Sequence, residues 1–366
     1  MSFWLKEHFR QNKQMGSTDR KLFSALIYGI YRILGARRIT PTEEMAETGA
    51  CLQPGLPPAY LDYLREKDAF YARLLDAESN TQRLELLKER GWEEGAFFPC
   101  ADNLSKQIEQ TEFMAAHLFP RKVWLRVRKG AELEVQVVLK ANGFNFTQHS
   151  PNCYVSDLHY PLHTLDIFEK GLFEIQDIAS QDTGHYFHPE KASSWFDCCA
   201  GSGGKSLMLL DKEEDIRLTV NDTRGEMLDE LRERFEKAGM PAPKVMQADL
   251  EAGIYEGLGP FDGIIADLPC TGSGTWGRSP ERMHFFSCEH IASYAERQRA
   301  IIEQVAKVLK PEGELYYITC SVYAAENEDN VAMVCADNQL VCTNQQYLYH
   351  HHEGGDTLYI AVLKKA

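Results

Sequence analysis

The spacing of apolar residues changes twice along the chain. In DRKLFSALIYGIYRILGARR (19–38), Leu22, Phe23, Leu26, Ile27, Ile30, Ile33 and Leu34 recur three and four residues apart, which predicts a helix. The GSTD that leads into it supplies a start signal. PGLPPAYLDYLREKDAFYARLLDAE continues as a turn and more helix. Around 120–150 the period shortens. KVWLRVRKG alternates as a strand does, and AELEVQVVLKANGFNF reads as a helix ending at Gly143, then a strand. From about 166, strand, glycine turn and helix repeat through SSWFDCCAGSGGKSLMLLD, IRLTVNDTRGEMLDELRERFEKAG, APKVMQADLE, PFDGIIADLPC, ASYAERQRAIIEQVAKVLKPEG and ELYYITCS, and DTLYIAVLKK closes the sheet. Strands alternating with helices imply a parallel sheet covered on both faces. The expectation is an α/β chain with a helical domain over 1–100, a small α+β domain over 101–165 and a larger domain over 166–366.

Composition narrows the class. With 44% hydrophobic and 25% charged residues the chain reads as an ordinary globular protein. It has no apolar run of the roughly 18 residues that a membrane span needs. The opening MSFWLKEHFRQNKQMG lacks a signal-peptide apolar core, so a cytoplasmic location is expected. None of the ten cysteines forms a CxxC pair, and Cys51, Cys100, Cys153, Cys335 and Cys342 read as reduced, buried thiols. The HHH at 350–352 has no carboxylate or cysteine patterned around it, so no metal is expected. The formal net charge of −15 argues against broad nucleic-acid binding. The charge is uneven, however. Up to residue 40, Lys6, Arg10, Lys13, Arg20, Lys21, Arg32, Arg37 and Arg38 face only Glu7 and Asp19, and RKVWLRVRK (121–129) is a second basic cluster.

In an open α/β sheet, ligands bind at the carboxyl ends of the strands. DCCAGSGGK (197–205) stands at the end of the first strand of the repeat. Its GxGG spacing fits neither the GxGxxG dinucleotide fingerprint nor a phosphate loop, which would need glycine where Cys199 stands. The next three strands end in Asp222, Asp249 and Asp267. A carboxylate at the second strand end can take ribose hydroxyls, and one after the third suits an adenine amino group. Such a pocket repels phosphates and suits a ligand carrying a sulfonium and an ammonium, S-adenosylmethionine.

Two cysteines sit at strand ends over the same pocket, Cys270 in ADLPCTGSGTWGRSPE and Cys320 in LYYITCS. Carbon 5 of a cytosine is a poor nucleophile. A thiolate that adds to carbon 6 makes it an enamine able to take a methyl group; loss of the carbon-5 proton and expulsion of the thiolate restore the ring. An aspartate beside Pro-Cys, opposite a second strand-end cysteine, supplies the parts. Spacing alone does not say which cysteine attacks.

These residues resemble the Sun-type (Fmu, NOP2/Sun) RNA cytosine-carbon-5 methyltransferases, in particular the bacterial ribosomal-RNA members. DCCAGSGGK is similar to the family's DxCAAPGGK, ADLPCTGSGTWGRSPE to DxPCSGxGxxRRxPD, and YITCSVYAAENEDNV to YSTCSxxxxENExxV. The resemblance implies a Rossmann-like methyltransferase domain with a seven-stranded, mostly parallel sheet. It implies that Cys320 is the nucleophile and that Cys270 assists release of the methylated RNA. Asp267 would hydrogen-bond the target cytosine, with Lys205 beside the same base. Cys199, Ala200, Gly201, Ser202, Gly203, Gly204 and Lys205 would wrap the methionine part of the cofactor. Asp222 would hold its ribose, Asp249 its adenine, and Asp267 would lie near the methyl donor. Gly201-Ser202 replaces the family's Ala-Pro, which predicts a more flexible loop. Gly277-Arg278 replaces a pair of arginines.

The expected partner is RNA, ribosomal RNA first and transfer RNA as the alternative, with the target cytosine unpaired or flipped out of its helix. Arg121, Lys122, Arg126, Arg128 and Lys129, with the interleaved Trp124, are candidates to hold phosphate or stack on a base, and so are Trp276 and Arg278. Two other readings are weighed. A non-catalytic assembly factor that keeps the fold would bind RNA without the cofactor. An amino-group methyltransferase would need no thiol, and DLPC paired with TCS argues against it.

Overall fold

The computed structural model describes residues 1–93, 97–254 and 257–365. The alternation in KVWLRVRKG becomes strand β1 (Val123–Val127). It is the third strand of a four-stranded antiparallel sheet in the order β2 (Thr147–Ser150), β3 (Cys153–Ser156), β1, β4 (Phe173–Ile175). Because side chains alternate across a strand, Val123, Leu125 and Val127 enter one core with Val135, Leu139, Tyr154 and Phe173. Trp124 turns the other way, against Cys153 and Ile178. Arg126 Nε donates to Gln176 Oε1 at 2.7 Å, and Arg126 and Arg128 both pair with Asp211, the latter at 2.9 Å. The basic face of β1 is therefore turned inward and neutralised. That corrects its reading as an RNA contact: Trp124 is 3% exposed, and both guanidinium groups already have an anion.

The strand–helix repeat builds a second sheet from β5 (Ser194–Asp197), β6 (Arg217–Asn221), β7 (Lys244–Met246), β8 (Phe261–Asp267), β9 (Leu309–Thr319), β10 (Leu340–Tyr349) and β11 (Thr357–Lys365). The order is β10-β11-β9-β8-β5-β6-β7. Strands β5 to β9 run parallel, while β11 pairs antiparallel with both β9 and β10. The sheet is thus seven-stranded and mostly parallel, as expected. Its parallel strands are covered on both faces, which explains near-continuous apolar runs such as Ile264, Ile265 and Ala266, all fully buried. Leu207, Leu218, Val220, Leu231, Phe235, Ile265, Tyr316 and Ile318 share one core. From β5 the chain steps outward through β6 and β7, then returns to lay β8 on the other side of β5. The strand order reverses between β5 and β8, where ligand crevices open.

By contact the described chain divides into two compact units. One comprises Met1–Arg121, Thr275–Cys288 and His351–Gly354; the other, which holds both sheets, comprises the remaining segments. The first is helical. Its longest helix, Ser17–Leu34, begins where the Gly16 N–H donates to the Asp19 carboxylate at 2.9 Å. It crosses the helix Glu43–Cys51 at Gly29 and Gly49, where a Cβ on Gly29 would meet the Gly49 carbonyl carbon at 2.5 Å. Arg32, one of the basic residues of the front end, is 4% exposed and donates to the carbonyls of His117 and Phe119 at 3.2 and 3.0 Å. Arg121 is likewise buried, with Nη1 on the carbonyls of Ala116 and His351. Trp276 is 1% exposed and packs between Phe98 and Phe286, so it is a core residue of this unit and offers no face for a base. Cys100 forms a disulfide with Cys288, which corrects its reading as a free thiol. Among the described residues no helix is long and apolar enough to cross a membrane.

Candidate active site

The switch between β5 and β8 gathers the predicted residues. β5 ends at Asp197, and the loop Cys198–Gly203 leads into the helix Gly204–Leu210. Its turn is tight: the Ala200 N–H donates to Asn221 O at 2.8 Å and the Gly203 N–H to Ala200 O at 2.9 Å. Gly203 has φ +84°, and a Cβ there would lie 2.8 Å from Leu231 Cγ, so only glycine closes the loop without strain. Ser202 is not loose. Arg234 Nη1 donates to its carbonyl at 2.7 Å and lies 2.6 Å from its hydroxyl, and Arg234 is held in turn by Glu174 at 2.6 Å. Where the family has proline, this loop has an arginine clamp on Ser202.

Asp222, just past β6, is 5% exposed. Its Oδ2 accepts from the Gly201 N–H at 2.9 Å, and Arg224 reaches both oxygens with its backbone N–H and guanidinium. Burial alone would raise this carboxyl, but the hydrogen bonds from Arg224 and Gly201 hold it below the usual range. Asp249 lies three residues beyond β7. It is exposed and caps its own turn, accepting from the Glu251 N–H at 3.0 Å.

Asp267 is the last residue of β8. Its Oδ2 lies 2.6 Å from Lys205 Nζ, which reaches it from the helix behind the glycine loop. Burial would strip the Lys205 proton, but Asp267 first and then Cys320 oppose it, and the net shift is upward. Lys205 is thus a fixed cation at the strand ends.

β8 and β9 are parallel neighbours, with Asp267 opposite Ile318. That register sets Cys320, one residue past β9, beside the Pro269-Cys270 turn past β8. The two sulfurs are 3.4 Å apart. Both thiols are partly exposed. The contact with Cys320, then burial, pushes the Cys270 thiol well above its ordinary value. Of the predicted residues, Lys205, Asp267, Cys270 and Cys320 form one cluster, and the glycine loop with Asp222 forms the adjoining cradle. Asp249 stands at a third strand end, and among the described residues its carboxylate bonds only within its own turn.

Sequence reasoning passed over two buried carboxylates. Asp197 is 1% exposed; burial pushes its pKa up to about 7, against a hydrogen bond from Ser206 Oγ at 2.6 Å. A strand-final aspartate before two cysteines carried the signal, but its depth did not show. Glu326, in the ENE stretch, is fully buried behind the cysteines. Among the described residues one group has metal-ligand atoms within 4.8 Å of one another, Glu112, His351 and His352. Glu112 supplies the carboxylate missing around HHH, but Arg121 donates to the His351 carbonyl, which sets a cation against that group.

Residues 185–364 match the family described as 16S rRNA methyltransferase RsmB/F. This part of the chain is similar to that family. Among curated relatives, ribosomal RNA small subunit methyltransferase B of Vibrio cholerae is 29% identical over 66% of this chain and 58% of its own length. The Klebsiella pneumoniae protein of that name is 26% identical over 96% of this chain and 84% of its own. The chain thus spans less than two thirds of the length of the Vibrio cholerae relative it matches. Among solved structures, PH0851 aligns with a TM-score of 0.74 at 19% identity, covering 98% of this chain and 93% of its own. NSun6 from Pyrococcus horikoshii, solved with SFG, gives 0.64 at 20% identity, covering 72% and 96%. These likenesses show a shared Rossmann-like methyltransferase fold.

Proposed function

We propose that the chain is an S-adenosylmethionine-dependent RNA (cytosine-C5)-methyltransferase acting on ribosomal RNA. The observation that carries this reading is the pair Cys270 and Cys320, 3.4 Å apart at adjacent strand ends, with Lys205 and Asp267 contributed by the same crevice. A pair of structural buried thiols would need neither a fixed cation nor a carboxylate at the crevice mouth. The relatives named above supply ribosomal RNA as the substrate class.

The cradle fits the cofactor. The tight glycine loop runs where the methionine part would lie, Asp222 stands beside it at the second strand end for ribose hydroxyls, and each cation of the crevice is already matched by a carboxylate or a carbonyl, Arg224 by Asp222, Lys205 by Asp267 and Arg234 by Glu174 and Ser202. When bound, the cofactor supplies an electrophilic methyl group on a sulfonium. The chain's own residues do the rest. The Cys320 thiolate adds to carbon 6 of an extruded cytosine, and the electron pair displaced from the 5,6 double bond makes carbon 5 nucleophilic. Asp267 hydrogen-bonds the base and Lys205 holds Asp267 in place. After methylation the carbon-5 proton leaves to a base, the 5,6 double bond re-forms, and the Cys320 thiolate is expelled. The Cys270 thiol, held protonated beside the departing sulfur, assists that last step.

The test is transfer of labelled methyl from S-adenosylmethionine to total RNA, or to ribosomal particles, from cells lacking the protein. Label recovered as 5-methylcytidine with the wild type is expected, with none from Cys320→Ala and a denaturation-resistant RNA–protein adduct from Cys270→Ala. Full activity in Cys320→Ala would sink the assignment of the nucleophile. Absence of label with the wild type on every RNA would sink the activity itself.

A further inference from the structure

Two loops must hold two sulfurs in register, and neither loop is regular secondary structure. Both are fastened to one carboxylate. Glu326 Oε1 accepts from Thr271 Oγ1 at 2.6 Å and from Ser321 Oγ at 2.5 Å. Its Oε2 accepts from the Thr271 N–H at 2.9 Å and from Gln298 Nε2 at 3.1 Å. Thr271 follows Cys270 and Ser321 follows Cys320. Gln298 also donates to the carbonyl of Pro269, the residue before Cys270, at 3.0 Å. All four lone-pair sites of the carboxylate are therefore used, and each leads to a residue that flanks a cysteine or to the Gln298 brace of one.

The brace is itself fixed. Gln298 Oε1 accepts from Tyr317 Oη and Asn330 Nδ2, each at 2.9 Å, and the Tyr317 hydroxyl lies 2.6 Å from the Glu326 carbonyl. Glu326, Gln298, Ser321 and Asn330 are all fully buried. A buried carboxylate with four donors is costly to build and rigid once built. Nothing about a sheet edge requires it, since apolar side chains would fill the same space.

We propose that Glu326 is the positioning residue of the cysteine pair: its carboxylate clamps the residue after each cysteine and so sets the approach of the two sulfurs. It rests on the reading of Cys270 and Cys320 as the working pair, but its consequence is a distance, which can be measured without RNA. A glutamine at 326 can keep the clamp. Its oxygen would face the two obligate donors, the Thr271 N–H and the Gln298 amide, and its NH2 would face two hydroxyls that can rotate to accept. An alanine cannot.

The experiment is the rate at which the azo oxidant diamide converts the two thiols to a disulfide, two electrons and two protons passing to its N=N bond. The crosslink between the peptides of Cys270 and Cys320 is counted by mass spectrometry, and alkylation of Cys342 on β10 reports any general loosening. Glu326→Ala should form the crosslink about tenfold to a hundredfold more slowly, the range that about 1 Å of misplacement produces. Ser321→Ala and Thr271→Val should slow it less, and Glu326→Gln should stay within about threefold of wild type. A wild-type rate in Glu326→Ala overturns the proposal. If Glu326→Ala does not fold, wild-type rates in both Ser321→Ala and Thr271→Val overturn it. A chain that crosslinks in this pattern yet never methylates RNA keeps the clamp and loses the activity; a methyltransferase whose crosslinking ignores Glu326 does the reverse.

Discussion

Lys205 Nζ and Asp267 Oδ2 lie 2.6 Å apart, yet the two ends of the pair are unequally sheltered. The lysine side chain is 10% exposed and the aspartate 36%. The pair is a buried cation met by a carboxylate that water still reaches. Removing either partner therefore leaves a different orphan.

Asp267→Asn strands an ammonium in a site that favours its charged form chiefly because of Asp267, and should cost about 3 kcal/mol of stability. Lys205→Met leaves a carboxylate that water can solvate, and should cost about 1 kcal/mol or less. Urea denaturation of the two variants measures the difference. Equal losses would mean that burial of the lysine end is not what matters. Under the proposed mechanism both variants lose methyl transfer, by about a hundredfold or more.

Asp197 gives a pH dependence whose sign is fixed. Burial raises its folded pKa to about 7, above the ordinary value near 4 of an unfolded aspartate. Between those values the folded state holds a proton that the unfolded state has lost. Its contribution is fully present below about pH 4 and disappears as pH rises to about 7. Asp197→Asn removes this titration while keeping an oxygen for the Ser206 hydroxyl. The stability of wild type minus that of Asp197→Asn should fall from about pH 4 to about pH 7 and be flat above about pH 8. A flat difference across the whole range would show that Asp197 titrates normally.

Most of the sheet domain is legible in the chain because its signals are local. Apolar runs bounded by glycine turns mark β5, β6 and β8, and the strand-final Asp267 and the following Pro-Cys mark the crevice. The 3.4 Å approach of Cys270 and Cys320 is not local. It depends on the register of β8 against β9, which the alternation of strands and helices does not set. The basic residues misled for a related reason. Arg126 and Arg128 alternate with apolar neighbours as solvent-facing residues do, but Asp211, far along the chain, turns them into an inward ion pair. Trp276 follows a glycine-rich loop, and what buries it is Phe98, a distant partner. Glu326 stands in a recognisable motif, but its use as a fourfold acceptor needs two loops and a helix to meet.

The glycine loop offers a contrast between neighbours. Gly203 has φ +84°, and a methyl group added there would lie 2.8 Å from Leu231 Cγ. At Gly204 the nearest atoms to an added Cβ are 3.7 Å away, and φ is not positive. Gly203→Ala should lower stability by about 2 kcal/mol, from backbone strain and overpacking together. Gly204→Ala, at the first turn of its helix, should be neutral or stabilise by about 0.5 kcal/mol. Thermal midpoints of the two variants settle it; a Gly203→Ala variant as stable as wild type would mean that the loop has another way to close.

The last prediction concerns how Asp222 would take a ribose. Its oxygens already accept from the Gly201 N–H and from three groups of Arg224, so no lone-pair site is idle. The Arg224 side chain is 57% exposed, while Asp222 is buried. The guanidinium is therefore the partner that can leave for solvent and yield its places to two hydroxyls. Arg224→Ala keeps the backbone N–H and removes the competing donors, so S-adenosylmethionine should bind as tightly as to wild type or a few-fold more tightly. Asp222→Ala removes two hydrogen bonds to a charged acceptor and should weaken binding by about a hundredfold. Calorimetric titration of both variants checks this. If Arg224→Ala weakens binding as much as Asp222→Ala does, the arginine does not step aside but holds the carboxylate in its binding position, and the four donors form a permanent frame.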